Sequence, residues 1–173
     1  MELRTERLTL VPLGSDHFET THRYASDAEA NRYMLHLPNR TEKETKDFLL
    51  YCEQCWIEEH PTDYEFAVLL DGEQIGGANL CLEDGEKTAE LGWILDRRYW
   101  GKGYATETAK ELMRFGREEL GIRTFIAHCD AENVKSEAVM KRVGMNFVSQ
   151  YGGRKNHLSD EEREEKEYRL DCK

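Results

Sequence analysis

Apolar and polar positions along the chain switch between two periods. Residues 7–13, RLTLVPL, alternate at period two and predict a first strand, with Pro12 near its end. Ser15-Asp16 offers a helix cap, completed as a capping box by Glu19, so a first helix is expected from 16. A second begins at Thr41, where Glu44 makes the same box, and carries Phe48, Leu49, Cys52, Cys55 and Trp56 on one face. EFAVLLDGEQIGGANLCL reads as two β-type runs joined by Asp71-Gly72, a hairpin signal. A turn at 83–88 leads to the strand AELGWIL, 89–95. After RYWGKG, Ala105, Ala109, Leu112, Met113, Gly116 and Leu120 form one helical stripe that closes at Gly121. TFIAHC, 124–129, is a buried strand, 134–143 a short helix stopped by Gly144, and MNFVSQ another strand. The polar stretch 152–165 is expected to be a long loop or part-helix, and EYRLD, 167–171, a last strand. The order β-α-α-β-β-β-α-β-α-β-β predicts an α/β fold: a mixed, mostly antiparallel central sheet with helices on both faces.

No repeat, low-complexity tract or Pro/Gly-rich linker interrupts that order, and residues 1–173 read as one domain. At 39% hydrophobic and 10% aromatic residues the chain is too apolar for disorder. No apolar run approaches the roughly 20 residues that cross a bilayer. MELRTERLTLVPL lacks the apolar core of a secretory signal, so a cytoplasmic location is expected, without membrane partners. The net charge of −11 argues against nucleic acid and fits a cationic partner such as an amine.

Five cysteines, at 52, 55, 81, 129 and 172, in a chain without an export signal are expected to be reduced. Cys52-x-x-Cys55 lies on an apolar helical stripe, which favours packing over metal or redox chemistry. His17, His22, His36, His60, His128 and His157 show no paired ligand spacing, and no metal is expected. His128, beside Cys129 and Asp130, suggests a nucleophile only until the pleat is considered, since adjacent strand residues point to opposite faces. Trp56 and Trp93 are core-like by pattern, and the acidic run at 159–167 reads as a solvated face.

The junction RYWGKGYA, 98–105, places two glycines around a lysine between a strand and a helix. The first N–H groups of that helix lack intrahelical partners and carry partial positive charge, so an anion, and best a phosphate, suits them. Gly101 and Gly103 remove the Cβ atoms that would hold a phosphate away, and Arg98 and Lys102 add charge. A turn whose glycines serve positive φ is the equal alternative. Neither Gly-x-Gly-x-x-Gly nor Gly-Lys-Ser/Thr is present, so the junction is not a dinucleotide fingerprint or a P-loop.

Arg98-Tyr99-Trp100-Gly101-Lys102-Gly103 resembles the Arg/Gln-x-x-Gly-x-Gly/Ala loop of the GNAT N-acetyltransferases. AELGWILDRRYWGKGYATE, DAENVKSEAVMKRVGMNF at 130–147 and RTERLTLVPL at the start resemble the branch containing the ribosomal-protein N-terminal acetyltransferases (RimJ/RimL-like). The three motifs fall in order across essentially the whole chain. The resemblance implies the GNAT-type fold and acetyl-CoA as co-substrate. The loop from Arg98 through Gly101, Lys102, Gly103 and Tyr104 to Ala105 would cradle the pyrophosphate. The strand at Trp93, Ile94 and Leu95 would pair with the pantetheine arm.

Direct acetyl transfer to an amine needs a base for the ammonium, stabilisation of the oxyanion and a proton for the thiolate. Glu90, on the strand entering the loop, is the candidate base; a partly desolvated carboxylate there would have a raised pKa. A surface or substrate-attracting glutamate is the alternative. Asn133 and Ser136 suit helix capping; the resemblance gives Asn133 the cofactor arm and Ser136 the thioester sulfur. Many members carry a tyrosine seven residues after the asparagine, where this chain has Met140, so water competes with Ser136 as the acid. Arg142 is within possible reach of the cofactor's 3′-phosphate, though a solvated helix face is favoured.

The expected activity is acetylation of a primary amine, first a protein or peptide N-terminus. A small-molecule amine or a non-catalytic acyl-CoA-binding module are the alternatives. The acceptor site is expected from the helices at 16–60 and the loop at 150–166, with RYMLHLPN (32–39) along it. A monomer and a homodimer are both compatible with the sequence.

Overall fold

Alternating apolar positions pair into a single eight-stranded sheet in the computed structural model, which describes residues 1–83, 87–156 and 158–172. The strands are β1 (Leu3–Arg4), β2 (Leu8–Pro12), β3 (Asp63–Leu70), β4 (Glu73–Leu82), β5 (Thr88–Leu95), β6 (Thr124–Asp130), β7 (Asn146–Arg154) and β8 (Arg163–Asp171). Their spatial order is β1-β2-β3-β4-β5-β6-β8-β7. Every neighbouring pair is antiparallel except β5 and β6, which the crossover through a helix makes parallel. Four helices, α1 (Phe18–Ala25), α2 (Glu42–Ile57), α3 (Tyr104–Glu119) and α4 (Val134–Arg142), complete the mixed α/β fold.

The β3–β4 hairpin turns on Asp71 (φ 51°) and Gly72 (φ 84°), both at the positive φ such a two-residue turn demands. At α2 the capping box forms: the Thr41 hydroxyl accepts from Glu44 N (3.3 Å), and the Glu44 carboxylate accepts from Thr41 N (3.4 Å). Thr41→Ala is expected to cost about 1 kcal/mol and to lower the melting temperature by about 2–4 °C, read by thermal denaturation. The box expected at Asp16 does not form. Ser15–His17 is a 3₁₀ turn, α1 begins at Phe18 without a side-chain cap, and Ser15 N donates instead to Glu53 Oε1 of α2 (2.7 Å).

The loop expected over 152–165 is trimmed at both ends, because β7 runs on to Arg154 and β8 begins at Arg163. β7 is an edge strand exposed along almost its whole length, so no buried face imposes an apolar alternation on it. The charges of β8 are absorbed locally: Glu165 takes Arg154 and the Tyr151 hydroxyl, and Glu167 takes Ser149. The expected turn at 83–88 falls partly on residues 84–86, and these and His157 lie outside the described residues.

Helices cover both faces. Leu112 and Phe115 of α3 pack with Tyr64, Phe66, Leu80 and Leu91. Gly116 lets Phe125 of β6 approach α3 so closely that a Cβ would overlap the ring. On the opposite face Leu49 and Cys52 of α2 pack with Leu13 and Ala67. Cys52 and Cys55 are buried thiols, and all five cysteines are free. Trp93 is half-buried against the core; Trp56 passes the end of β2 and donates Nε1 to Glu65 O (2.7 Å). No described helix is long and apolar enough to cross a membrane.

Candidate functional site

The parallel seam is short. β5 and β6 pair over Thr88–Glu90 and Thr124–Ile126, and beyond Glu90 each keeps only its other neighbour, β4 or β8. The sheet therefore opens at Glu90, leaving an interior edge of β5 through Leu95 with no described strand across from it. The pleat assigns faces: Ala89, Leu91 and Phe125 point toward α3 and α4, whereas Glu90, Ile126 and His128 point to the α1/α2 side.

At the opening, His128 Nδ1 and Glu90 Oε1 lie 2.8 Å apart. The hydrogen bond to Glu90 raises the His128 pKa above its ordinary value, against the opposing effect of burial. The Glu90 side chain keeps 39% of its surface exposed. An imidazole partner, rather than the expected desolvation, is what sets this carboxylate apart. Burial, then the charges of Glu167 and Glu90, push up the pKa of the nearby Tyr151 phenol. Register places Glu65, Asn79 and Gly92 in the next row of the same face, where a Cβ on Gly92 would overlap the Asn79 carboxamide. Burial, reinforced by Asp63, pushes the Glu65 carboxyl up to about 7.

The glycine junction lies past the end of β5. A 3₁₀ turn at Arg97–Tyr99 is capped by Asp96, whose carboxylate accepts from Arg98 N (3.1 Å) and Arg98 Nη2 (2.8 Å). Those bonds from Arg98, with Arg23 assisting, hold Asp96 down at about 2. Arg98 therefore commits both its amide and its guanidinium to Asp96. The Tyr99 and Trp100 amides are likewise used within the turn, and Trp100 Nε1 occupies the Leu95 carbonyl (2.8 Å). Among the described residues, none of the amides from Gly101 to Thr106 donates to a protein acceptor. Gly101 (φ 75°) and Gly103 (φ 85°) both need positive φ, and a Cβ on Gly101 would meet only open space.

These amides sit at the N-terminus of a sixteen-residue helix, with the dipole behind them. They fit an anionic diphosphate, over a span shifted from the expected 98–105 to 101–106. Lys102 lies over the Tyr99 ring (5.4 Å). Lys135 of α4 lies over the Trp100 ring (4.1 Å), which brings the start of α4 beside the loop. Asn133 caps α4, its Oδ1 accepting from Ser136 N (3.2 Å), and Met140 is buried in the core. Ser136 is half-buried in the first turn of α4, and Arg142 ends α4 exposed. Trp93 points into the core and Ile94 to the α1/α2 face.

On the α1/α2 side, residues 31–37 are stapled to the C-terminal hairpin. Asn156 Nδ2 donates to the carbonyls of Asn31 (3.1 Å), Met34 (2.7 Å) and Leu37 (2.5 Å), and Arg154 donates to Tyr33 O (2.9 Å). A buried ion pair of Asp130 with Arg163 ties the end of β6 to the start of β8. Of the segments expected to frame an acceptor, residues 31–37 and the stretch at Arg154–Asn156 are thus in direct contact.

Sequence reasoning dismissed His128 as a nucleophile and did not link it to Glu90. The available signal was a two-residue step from Ile126, the position that pairs with Glu90. Arg7, which grips the loop, was missed because its partners are about a hundred residues away.

The description "Acetyltransferase (GNAT) domain" belongs to a family model that matches residues 7–146. The N-acetyltransferase YnaD of Bacillus subtilis strain 168 is 30% identical over 151 residues, 84% of this chain and 82% of that protein. A GNAT-family acetyltransferase structure from Bacillus anthracis superposes with a TM-score of 0.85 at 26% identity, covering 99% of this chain and 98% of its own. RimL, the ribosomal L7/L12 alpha-N-protein acetyltransferase, in complex with coenzyme A, has the same fold at a TM-score of 0.85 and 18% identity, with 99% and 98% covered. With the opened sheet and the free amides of the glycine loop, these matches make the chain a member of the GNAT family, an acetyl-CoA-dependent N-acetyltransferase.

Proposed function

We propose that this enzyme acetylates the α-amine of a protein or peptide N-terminus, as a RimJ/RimL-like member of the family acting in the cytoplasm. The observation that carries the mechanism is the Glu90–His128 pair at the opening of the sheet. Acetyl-CoA, when bound, supplies an activated acetyl thioester. The amides of Gly101–Thr106 would hold its diphosphate, the interior edge of β5 at Trp93–Leu95 its peptide-like arm, and Asn133 would add a polar contact. Glu90, on the acceptor side, takes the ammonium proton directly or through a water, and His128 shares that proton through Nδ1. Ser136, or water beside it, returns a proton to the thiolate from the α3/α4 side. Holding the two reactants on opposite sides of one opening supplies much of the rate.

A second reading, a small cationic amine as acceptor, is favoured by the carboxylates that register places on the acceptor face: Asp63, Glu65, Glu90 and Glu167. Release of free coenzyme A, with product mass, separates the two across peptides with Ser, Ala or Met N-termini, polyamines, aminoglycosides and free amino acids. We expect a peptide-selective signal. Turnover confined to small amines would replace the acceptor and keep the mechanism.

A further inference from the structure

Glu107 stands in the first turn of α3, where its charge would repel the diphosphate that the loop amides are proposed to hold. The chain disarms it from 100 residues away. Glu107 Oε1 accepts from the Thr5 hydroxyl (2.5 Å) and Arg7 N (2.9 Å), and Oε2 accepts from Arg7 Nε (2.7 Å) with Nη2 at 2.6 Å. Burial pushes this carboxyl up, yet the donors from Thr5 and Arg7 outweigh it, and it stays below its ordinary value. The same guanidinium donates Nη1 to the Lys102 carbonyl (3.1 Å) and lies over the Tyr104 ring (4.6 Å). The peptide is planar and trans, so a carbonyl pinned toward Arg7 aims the Gly103 N–H the opposite way.

We propose that Arg7 is a positioning residue for acetyl-CoA: it neutralises Glu107 and, through the Lys102 carbonyl, orients the Gly103 amide toward the diphosphate. This rests on the reading that the loop amides hold that diphosphate. Arg7 touches no reacting atom, so its effect belongs in KM rather than kcat.

Two donors separate the roles: acetyl-CoA, and acetyl-pantetheine, which lacks the diphosphate. Arg7→Ala is expected to raise the acetyl-CoA KM about tenfold or more, as loss of a charged hydrogen-bonded anchor should. Its kcat, and its kcat/KM for acetyl-pantetheine, should stay near the parent. Arg7→Lys, which keeps the charge and covers the case of a poorly folding Ala variant, should recover part of the loss. Glu107→Gln in the Arg7→Ala background should recover part by removing the repulsion. An unchanged acetyl-CoA KM in Arg7→Ala, or an equal loss with both donors, would overturn the proposal. Gly103→Val reports on the underlying reading: if it too leaves the acetyl-CoA KM unchanged, the loop is not the diphosphate site. If only Gly103→Val raises the KM, the loop stands and Arg7 falls.

Discussion

Replacing Glu90 with Gln is expected to lower kcat by about a hundredfold or more, the scale of positioned general-base catalysis, while the acetyl-CoA KM changes by less than about twofold. Glutamine keeps the size and a hydrogen-bonding oxygen but cannot hold a proton. The imidazole cannot replace it unaided, because its Nδ1 is oriented by that carboxylate. The pair also sets a pH signature. The Glu90 hydrogen bond raises the His128 pKa, so the imidazole keeps its proton above its ordinary 6.5. While that proton is present, Glu90 is a poor acceptor for another, and kcat should climb as pH passes through the raised value. Because the two groups share the proton, the limb belongs to the pair. In Glu90→Gln the largest cause of the shift is gone, and the His128 titration, followed by the NMR of its ring protons, should fall toward 6.5. A variant with parental kcat across the pH range would remove Glu90 from the role of base.

Phe115→Ala is expected to destabilise the fold by about 3–5 kcal/mol, which for a domain of this size lowers the melting temperature by about 10 °C or more. The ring is fully buried on α3. It meets Tyr64 (5.4 Å) and Phe66 (5.9 Å) edge-on, so truncation leaves a cavity facing two rigid rings on a strand bonded along both sides. Such a wall cannot collapse inward, which places the cost high in the range. The helix that loses its anchor is also the one whose N-terminus carries the glycine loop, so a sample warmed toward the new transition should lose coenzyme A binding along with the fold. Chemical and thermal denaturation of the parent and Phe115→Leu, which keeps most of the volume, calibrate the effect. A loss below about 1 kcal/mol for the alanine variant would mean that α3 is not seated on Tyr64 and Phe66.

Local chemistry wrote most of the fold into the sequence. The Asp71-Gly72 turn, the Thr41–Glu44 box and the α3 stripe are each settled by neighbours within a few residues, and each was readable from spacing. β7 and β8 were not fully readable, because an edge strand facing water has no buried side to impose alternation, and the β8 charges find partners across the hairpin. The site divides the same way. Glu90, Gly101 and Gly103 stand out within their own segments, whereas His128 acquires meaning only once a parallel pairing sets it on the face of Glu90. The engagement of Arg98 with Asp96 was hidden in plain spacing: a carboxylate two residues before an arginine is ordinary until a 3₁₀ turn folds one onto the other.

An unpaired strand edge is a hazard in a crowded solution, since it is a template for any other chain's backbone. The opening after Glu90 gives this sheet two such edges, on β5 and β6, but both lie in its interior, flanked on either side by further strands, with α3 packed on β5 and α4 on β6. The outer edges are treated differently. β1 is only two residues long, and β7 is broken by register shifts between Phe147 and Ser149 and between Tyr151 and Arg154, which bend it away from a flat template. The same arrangement that leaves these backbone groups vacant thus guards them against aggregation: an edge enclosed by the strands of its own sheet is not free to be extended by a strand of another chain.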